Sequence, residues 1–320
     1  MKRRTFAAAA GAVAFAPAAR AQADYPSRPV RIVVPFPPGG PVDTLARQVA
    51  HRLTTALGQN VLVENKAGAN SVVGSDAVAK AAPDGHTLLL NAGNLIINQH
   101  LIKTPYDAET DFAPVALLAK GALIVCVTPE LPAKNFAELV ALAKASPGKL
   151  NFAIGSVGAA GHIATELLMR RADIKLFVVA YKGSGPAYQD LIGGQIQGFV
   201  EPALGAMPHV KSGKIRALAV TSGRRVAALP DVPTVAESGV AGFEFHSWYG
   251  LWAPARTPPA IVARLNKEVG AILNAGELKD RLVAQGFEPQ SGDPASFAAF
   301  LKTESREIGV VVRDAGIKAE

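Results

Sequence analysis

This 320-residue chain predicts an α/β architecture of two units joined by two crossing segments. Short β-rich runs alternate with longer helical spacings, which implies parallel sheets with helices on both faces. Two extended apolar runs, Val115–Pro129 and Phe243–Pro254, have the length needed to carry the chain from one unit to the other and back. A discontinuous first unit and a continuous second one account for both runs.

The elements follow in order. Lys2, Arg3 and Arg4 precede an uncharged, alanine-rich stretch from Phe6 to Pro17, and two A-x-A cleavage sites end at Ala21 and Ala23. That is the layout of a secretory signal peptide over residues 1–23, with an apolar run too short to cross a bilayer. Val30–Val34 is a continuous β-branched run ended by Pro35, as expected of a strand buried on both faces. Asp43–Leu57 has helical spacing in Leu45, Ala46, Val49, Leu53 and Leu57, and Gly58 stops it. Val61–Val63 reads as a strand, Ser75–Ala82 as a helix closed by the turn Pro83-Asp84-Gly85, and Thr87–Leu90 as a strand. Leu150–Ile154 and Leu176–Ala180 are later strands. Phe136–Ala145, Ile163–Arg171, Ala187–Leu191 and Ile261–Leu273 are later helices, the last introduced by Thr257-Pro258-Pro259.

Composition excludes several function classes. Removing the leader takes four basic residues (Lys2, Arg3, Arg4, Arg20) and no acidic ones, so the formal charge falls from +7 to +3. No basic stripe with interleaved aromatics remains, which argues against a nucleic-acid partner. The single cysteine, Cys126, sits in an apolar run and reads as a small buried hydrophobe. The six histidines are dispersed with no metal-site spacing, and no metal or cofactor is expected.

Three glycine-rich turns lie between a strand and a helix: Pro35–Asp43, Gly155–His162 and Tyr181–Pro186. Helix N-termini expose unpaired N–H groups and a partial positive charge, which suit a carboxylate or phosphate. A rigid structural turn explains the first of them equally well. None matches a nucleotide fingerprint, since Tyr188 stands where the third dinucleotide-motif glycine belongs. Ile154-Gly155-Ser156-Val157-Gly158 lacks the outer glycine of a nucleophile elbow. His162, at a helix start, reads as a structural hydrogen-bonding residue before a catalytic base. Trp248 and Tyr249, on a crossing segment, suit either a cleft lining or core packing.

Taken together, YPSRPVRIVVPFPPGGPVDTLAR (25–47), AVAKAAPDGHTLL (77–89), DFAPVALLA (111–119), VAYKGSGPAYQDLIGGQI (179–196) and WYGLWAPARTPPAIVARLN (248–266) resemble the Bug-type substrate-binding proteins of tripartite tricarboxylate transporters. The matching blocks run nearly end to end. The resemblance implies a periplasmic-binding-protein fold of type II, with lobe 1 over residues 24–122 and 246–320, lobe 2 over 123–245, and a ligand cleft between them. It further implies a monomer in the periplasm that passes a small carboxylate to membrane subunits.

Carried over by the same resemblance, the ligand-binding positions are Phe36, Gly39, Gly40, Val42 and Asp43; Ser156, Val157, Gly158, Ala159, Ala160 and His162; and Lys182, Gly183, Ser184 and Gly185. Glu201 and Trp248 join them. Departures from the family pattern matter too: Ala159 and Ala160 replace hydroxyl residues, Asn70-Ser71-Val72 replaces Gly-Gly-Asn, Leu95 a histidine, and Gln197 and Glu201 aspartates. Fewer hydroxyl donors in a closed cleft disfavour a very polar di- or triacid, because a buried polar atom left unpaired costs about 1–3 kcal/mol. An apolar or aromatic monocarboxylate is expected instead. An exported hydrolase-like enzyme on the same lobes, or a sensor subunit presenting its ligand, are the competing classes.

Overall fold

The computed structural model describes residues 25–274 and 276–317, so the leader lies outside the described residues. The chain opens with β1 (Val30–Val34), α1 (Pro41–Leu57), β2 (Val61–Asn65), α2 (Val72–Ala79), β3 (Thr87–Ala92) and α3 (Asn94–Leu101). The 16-residue β4 (Phe112–Val127) follows. Next come α4 (Phe136–Ala145), β5 (Asn151–Ile154), α5 (Ala160–Ala172), β6 (Phe177–Ala180), α6 (Ser184–Ile192), β7 (Gly198–Pro202), α7 (Ala203–Lys211) and β8 (Arg216–Val220). The chain then returns through β9 (His246–Pro254) to α8 (Pro259–Asn274), α9 (Gly276–Ala284), β10 (Phe287–Pro289) and α10 (Pro294–Ala315).

Burial makes each element where it stands. Along α1 the buried Val42, Leu45, Ala46, Val49, Ala50, Leu53 and Leu57 recur at three- and four-residue intervals, one stripe facing the sheet. Proline at its first position suits a missing N–H, so the helix begins two residues before the apolar period predicts. The α2 helix likewise starts at Val72 rather than Ser75. Ala69, Asn70 and Ser71 all have positive φ, and this left-handed turn brings the chain into the helix early.

Strand order explains the two crossing segments. In the first sheet the order is β2-β1-β3-β9-β4, with β10 on the far side of β4. The second sheet runs β6-β5-β7-β4-β8. Both therefore repeat one plan: second, first, third, an inserted antiparallel strand, then the fourth. The insert in the second sheet is β4 itself. From Phe112 to Ala122 it pairs with β9, and from Leu123 to Val127 with β7 and β8. Sixteen extended residues span about 53 Å, long enough to serve both sheets. The return crossing is tied down where the Phe245 N–H and carbonyl bond the Thr221 carbonyl and hydroxyl.

The core follows this division. One cluster packs α1, α8 and β10 on the first sheet and continues to α6 and α7, while a second packs α4 and α5 on the second sheet. Trp248, Trp252 and Phe297 anchor a third under α10, a helix that the sequence reading leaves unassigned. A fourth joins Ile97 of α3, Ile163 of α5 and Ile308 and Val312 of α10, so it spans both sheets. Cys126 is fully buried in β4, between β7 and β8.

Candidate functional site

Parallel strands deliver their loops to the carboxyl edge of the sheet, where open α/β folds hold ligands. Here β1, β5 and β6 lead into α1, α5 and α6 through the three glycine-rich turns. The turns meet. Gly183 N–H donates to the Gly155 carbonyl at 2.7 Å, and a side chain begun at Gly183 would lie 3.5 Å from Pro37 of the first turn. Gly183 itself has φ +107°, which other residues rarely adopt. Gly161 is needed for space: a Cβ there would sit 2.3 Å from the Val200 carbonyl oxygen.

Phe36, Gly40, Val42, Ser156, Ala159, Ala160, Gly183, Ser184, Gly185 and Glu201 line one cavity of about 90 Å³. Gly40, Ala159 and Gly183 are the N-cap positions of α1, α5 and α6, and none supplies a side-chain cap to its helix. Three helix N-termini thus present unpaired N–H groups and partial positive charge to the same space. Among the described residues, no lysine, arginine or histidine lines it. A groove of about 860 Å³ lies elsewhere, lined by Lys120, Arg224, Arg225, Glu244 and Glu288, and no glycine-rich turn reaches it. Volume alone does not choose between the two. Converging helix N-termini do.

Seven of the expected residues lie off the cavity lining. Gly39 donates its N–H to Asp43 at 3.0 Å, and the buried Asp43 carboxylate also accepts from Asn65 Nδ2 (2.8 Å) and Arg47 Nε (2.9 Å). Burial pushes the Asp43 pKa up, but the bonds from Arg47, Gly39 and Asn65 outweigh it and hold the group below its ordinary value. Asp43 therefore braces the first turn. Replacing it with alanine should cost about 1–3 kcal/mol near neutral pH, the usual penalty for orphaned buried partners. Because its pKa is depressed, that contribution is present above the ordinary carboxylate range and lost as pH falls through the folded value. Urea melts of both proteins at pH 7 and pH 3 should show the gap closing in acid; an equal gap at both would refute this.

His162 accepts the Gly158 N–H on Nδ1 at 2.9 Å and braces the second turn in the same way. Gly158 packs against Leu101 and Ile97 of α3, and the Val157 carbonyl accepts from Asn70 Nδ2 at 2.5 Å. Lys182 stays off the lining too. Trp248 turns to the opposite face of β9, where its ring packs on Phe297 and Phe300 and its Nε1 donates to Glu304 at 2.7 Å. Strand side chains alternate, so Ser247 and Tyr249 are the ones that reach the cavity. Neither Ser247 Oγ nor Tyr249 Oη has a hydrogen-bond partner among the described residues. The alternation was readable in sequence, but which face held the cavity was not. Asn94, at the start of α3, was missed as well.

Among the departures from the family pattern, Leu95 is buried in the third cluster, and Gln197 accepts the Asn151 N–H at 2.9 Å. Glu201 alone of the two former aspartate positions faces the cavity, with its residue 3% exposed. Ser184 Oγ donates to its Oε1 at 2.5 Å. Burial raises its pKa to about 8, and the Ser184 bond only partly offsets that.

Comparison with known proteins agrees with this geometry. Residues 45–317 match the model of the tripartite tricarboxylate transporter family receptor, TctC. The chain is 38% identical over 297 residues to protein BugT of Bordetella pertussis, covering 92% of this chain and 91% of that one. Among solved structures, R. palustris Rpa4515 with adipate aligns at a TM-score of 0.90 and 34% identity, over 92% of this chain and 99% of that one. The periplasmic binding protein BugD aligns at 0.88 and 35%, over 92% and 100%. With its type II strand order and its turn-lined cavity, the chain belongs to the tripartite tricarboxylate transporter receptor family, as a Bug-type periplasmic solute-binding protein.

Proposed function

We propose that this protein captures a small organic carboxylate with an apolar body and delivers it to the membrane subunits of a tripartite transporter. One observation carries the reading: the uncapped first turns of α1, α5 and α6 share a cavity that offers an anion main-chain donors and no cationic side chain. The remaining wall supports the apolar body, since Phe36, Pro37, Pro41, Val42, Ala159, Ala160, Pro186 and Pro202 line it. Adipate, held by the R. palustris relative, has an apolar middle of this kind.

The same reading divides the chain into lobe 1 (24–122 and 246–320) and lobe 2 (123–245), supported by the change of β4 partners between Ala122 and Leu123. It takes residues 1–23 as a leader cleaved at Ala21 or Ala23, and the mature protein as a monomer that binds without turnover. Against an exported hydrolase, the histidine nearest the turns, His162, is engaged by Gly158 and lies off the cavity wall. A ligand-presenting sensor would share this site and differ only in its partner.

Isothermal titration with benzoate, hexanoate, adipate, citrate and glutamate tests the reading. The first three should bind, and a ligand at a hundred times its dissociation constant should add about 2.7 kcal/mol of stability. Tight citrate binding with no response to benzoate or hexanoate would overturn the apolar preference. Silence from all five would overturn carboxylate capture.

A further inference from the structure

The cavity holds a resident acid where its ligand's acid is expected. Glu201 lies at the end of β7 with Oε1 bonded by Ser184, in the first turn of α6. Its Oε2 faces the first turn of α5, 3.5 Å from where a side chain on Gly161 would begin. Both turns are among those that would cradle the incoming anion, so two carboxyl groups must share one water-poor space. Like charges at such range cannot both stay ionised at low cost, and one proton held between them resolves the conflict.

Among the described residues, no other group lining the cavity supplies a counter-charge. The titratable groups packed around Glu201 are Cys126 of β4, Tyr188 of α6 and Tyr249 of β9, and burial raises the pKa of each, so all three are neutral. His209 of α7 packs on the Tyr188 ring, and His162 of α5 accepts the Gly158 N–H. The open hydroxyls of Tyr249 and Ser247 add polar atoms but no charge.

Resting on the carboxylate reading above, we propose that Glu201 remains a neutral carboxylic acid when the cavity is occupied and donates its proton in a hydrogen bond to the ligand carboxylate. Ser184 satisfies Oε1, which leaves the O–H on Oε2 free for the ligand. Two consequences follow. Binding is linked to one proton, and amino acids are disfavoured, because their ammonium group would want Glu201 ionised. Burial already holds free Glu201 near pH 8. Below that value the acid is preloaded and affinity is flat; above it, each binding event must first take up a proton, and affinity should fall close to tenfold per pH unit.

Calorimetric titration of benzoate, hexanoate and adipate from pH 6 to 9.5, in two buffers of different ionisation enthalpy, reads this directly. Wild type should lose affinity in the alkaline arm and take up close to one proton per ligand there. E201Q, whose amide is a neutral donor that cannot ionise, should bind near the wild-type acidic plateau with an affinity that no longer depends on pH, and so more tightly than wild type in the alkaline arm. A flat wild-type profile, or an affinity that rises with pH, overturns the proposal while leaving carboxylate capture standing. Carbon-13 NMR of glutamate-labelled protein, with the Glu201 signal assigned by its loss in E201Q or in E201D, gives a ligand-free readout. A Glu201 carboxyl that titrates near the ordinary glutamate value would sink the inference even if none of the three acids binds.

Discussion

Replacing Ala159 with tryptophan is expected to weaken binding of the apolar acids at least a hundredfold while leaving the fold intact. Ala159 is the N-cap of α5, has extended backbone at φ −65° and ψ 159°, is only half-buried, and lines the cavity. An indole there enters the ligand's space from a half-buried position, so the penalty should fall at the low end of the roughly 1–3 kcal/mol typical of overpacked interiors. A hundredfold loss corresponds to about 2.7 kcal/mol of binding energy. The expected signature is a melting temperature within a few degrees of wild type and no thermal shift with benzoate. Wild-type affinity in A159W would show that the shared cavity is not the binding site. Introducing hydroxyls with A159T and A160S together should move preference toward the more polar diacids by giving their second carboxylate a donor.

The second large effect is expected at Asn70, which links the turn between β2 and α2 to the second glycine-rich turn. Its Nδ2 donates to the Val157 carbonyl of the second turn and to Asn98 Oδ1 at 2.7 Å, while Asn98 Nδ2 returns a bond to the Asn70 carbonyl at 2.7 Å. Asn98 is fully buried. Removing the Asn70 amide leaves these partners short of a donor, at a cost of about 1–3 kcal/mol, which as lost affinity is roughly 5- to 150-fold. Asn70 also has φ +52°, in the left-handed region where asparagine is far more at ease than alanine. The two roles separate cleanly. N70G frees the backbone and removes only the bridge, so it should dissociate ligand faster and lower the melting temperature by less than N70A does. N70A loses the bridge and strains the turn, so it should show the same faster dissociation and the larger fall in melting temperature. Dissociation from N70G at the wild-type rate in stopped-flow measurements would mean the bridge does not hold the cavity shut.

Residues 69–71 also show what a family pattern conveys and what it leaves out. The resemblance implies Gly-Gly-Asn where this chain has Asn70-Ser71-Val72, and marks the substitution without explaining it. In the folded chain the left-handed turn is kept with non-glycine residues, and the side chain that strains it makes the bridge. A local departure is repaid at a distance of 87 residues, which no window of sequence contains.

Local spacing along the chain is enough for part of this fold. The β-branched run at Val30–Val34, the apolar stripe of α1 and the glycine turns at 36–43, 155–162 and 182–186 all follow from neighbours along the chain, and all three turns sit where their strands deliver them. Tertiary structure decided the rest, because the deciding contacts are long-range. Trp248 was a reasonable cleft residue until the pairing of β9 with β4 put Ser247 and Tyr249 on the cavity face instead. Asp43 and His162 carry the right chemistry for a ligand, yet their bonds to Gly39 and Gly158 commit them to shaping the turns. Glu201 is buried only because β7, α5 and α6 close around it. A one-residue register and a few ångströms of burial set these outcomes, and neither is written in the order of the residues alone.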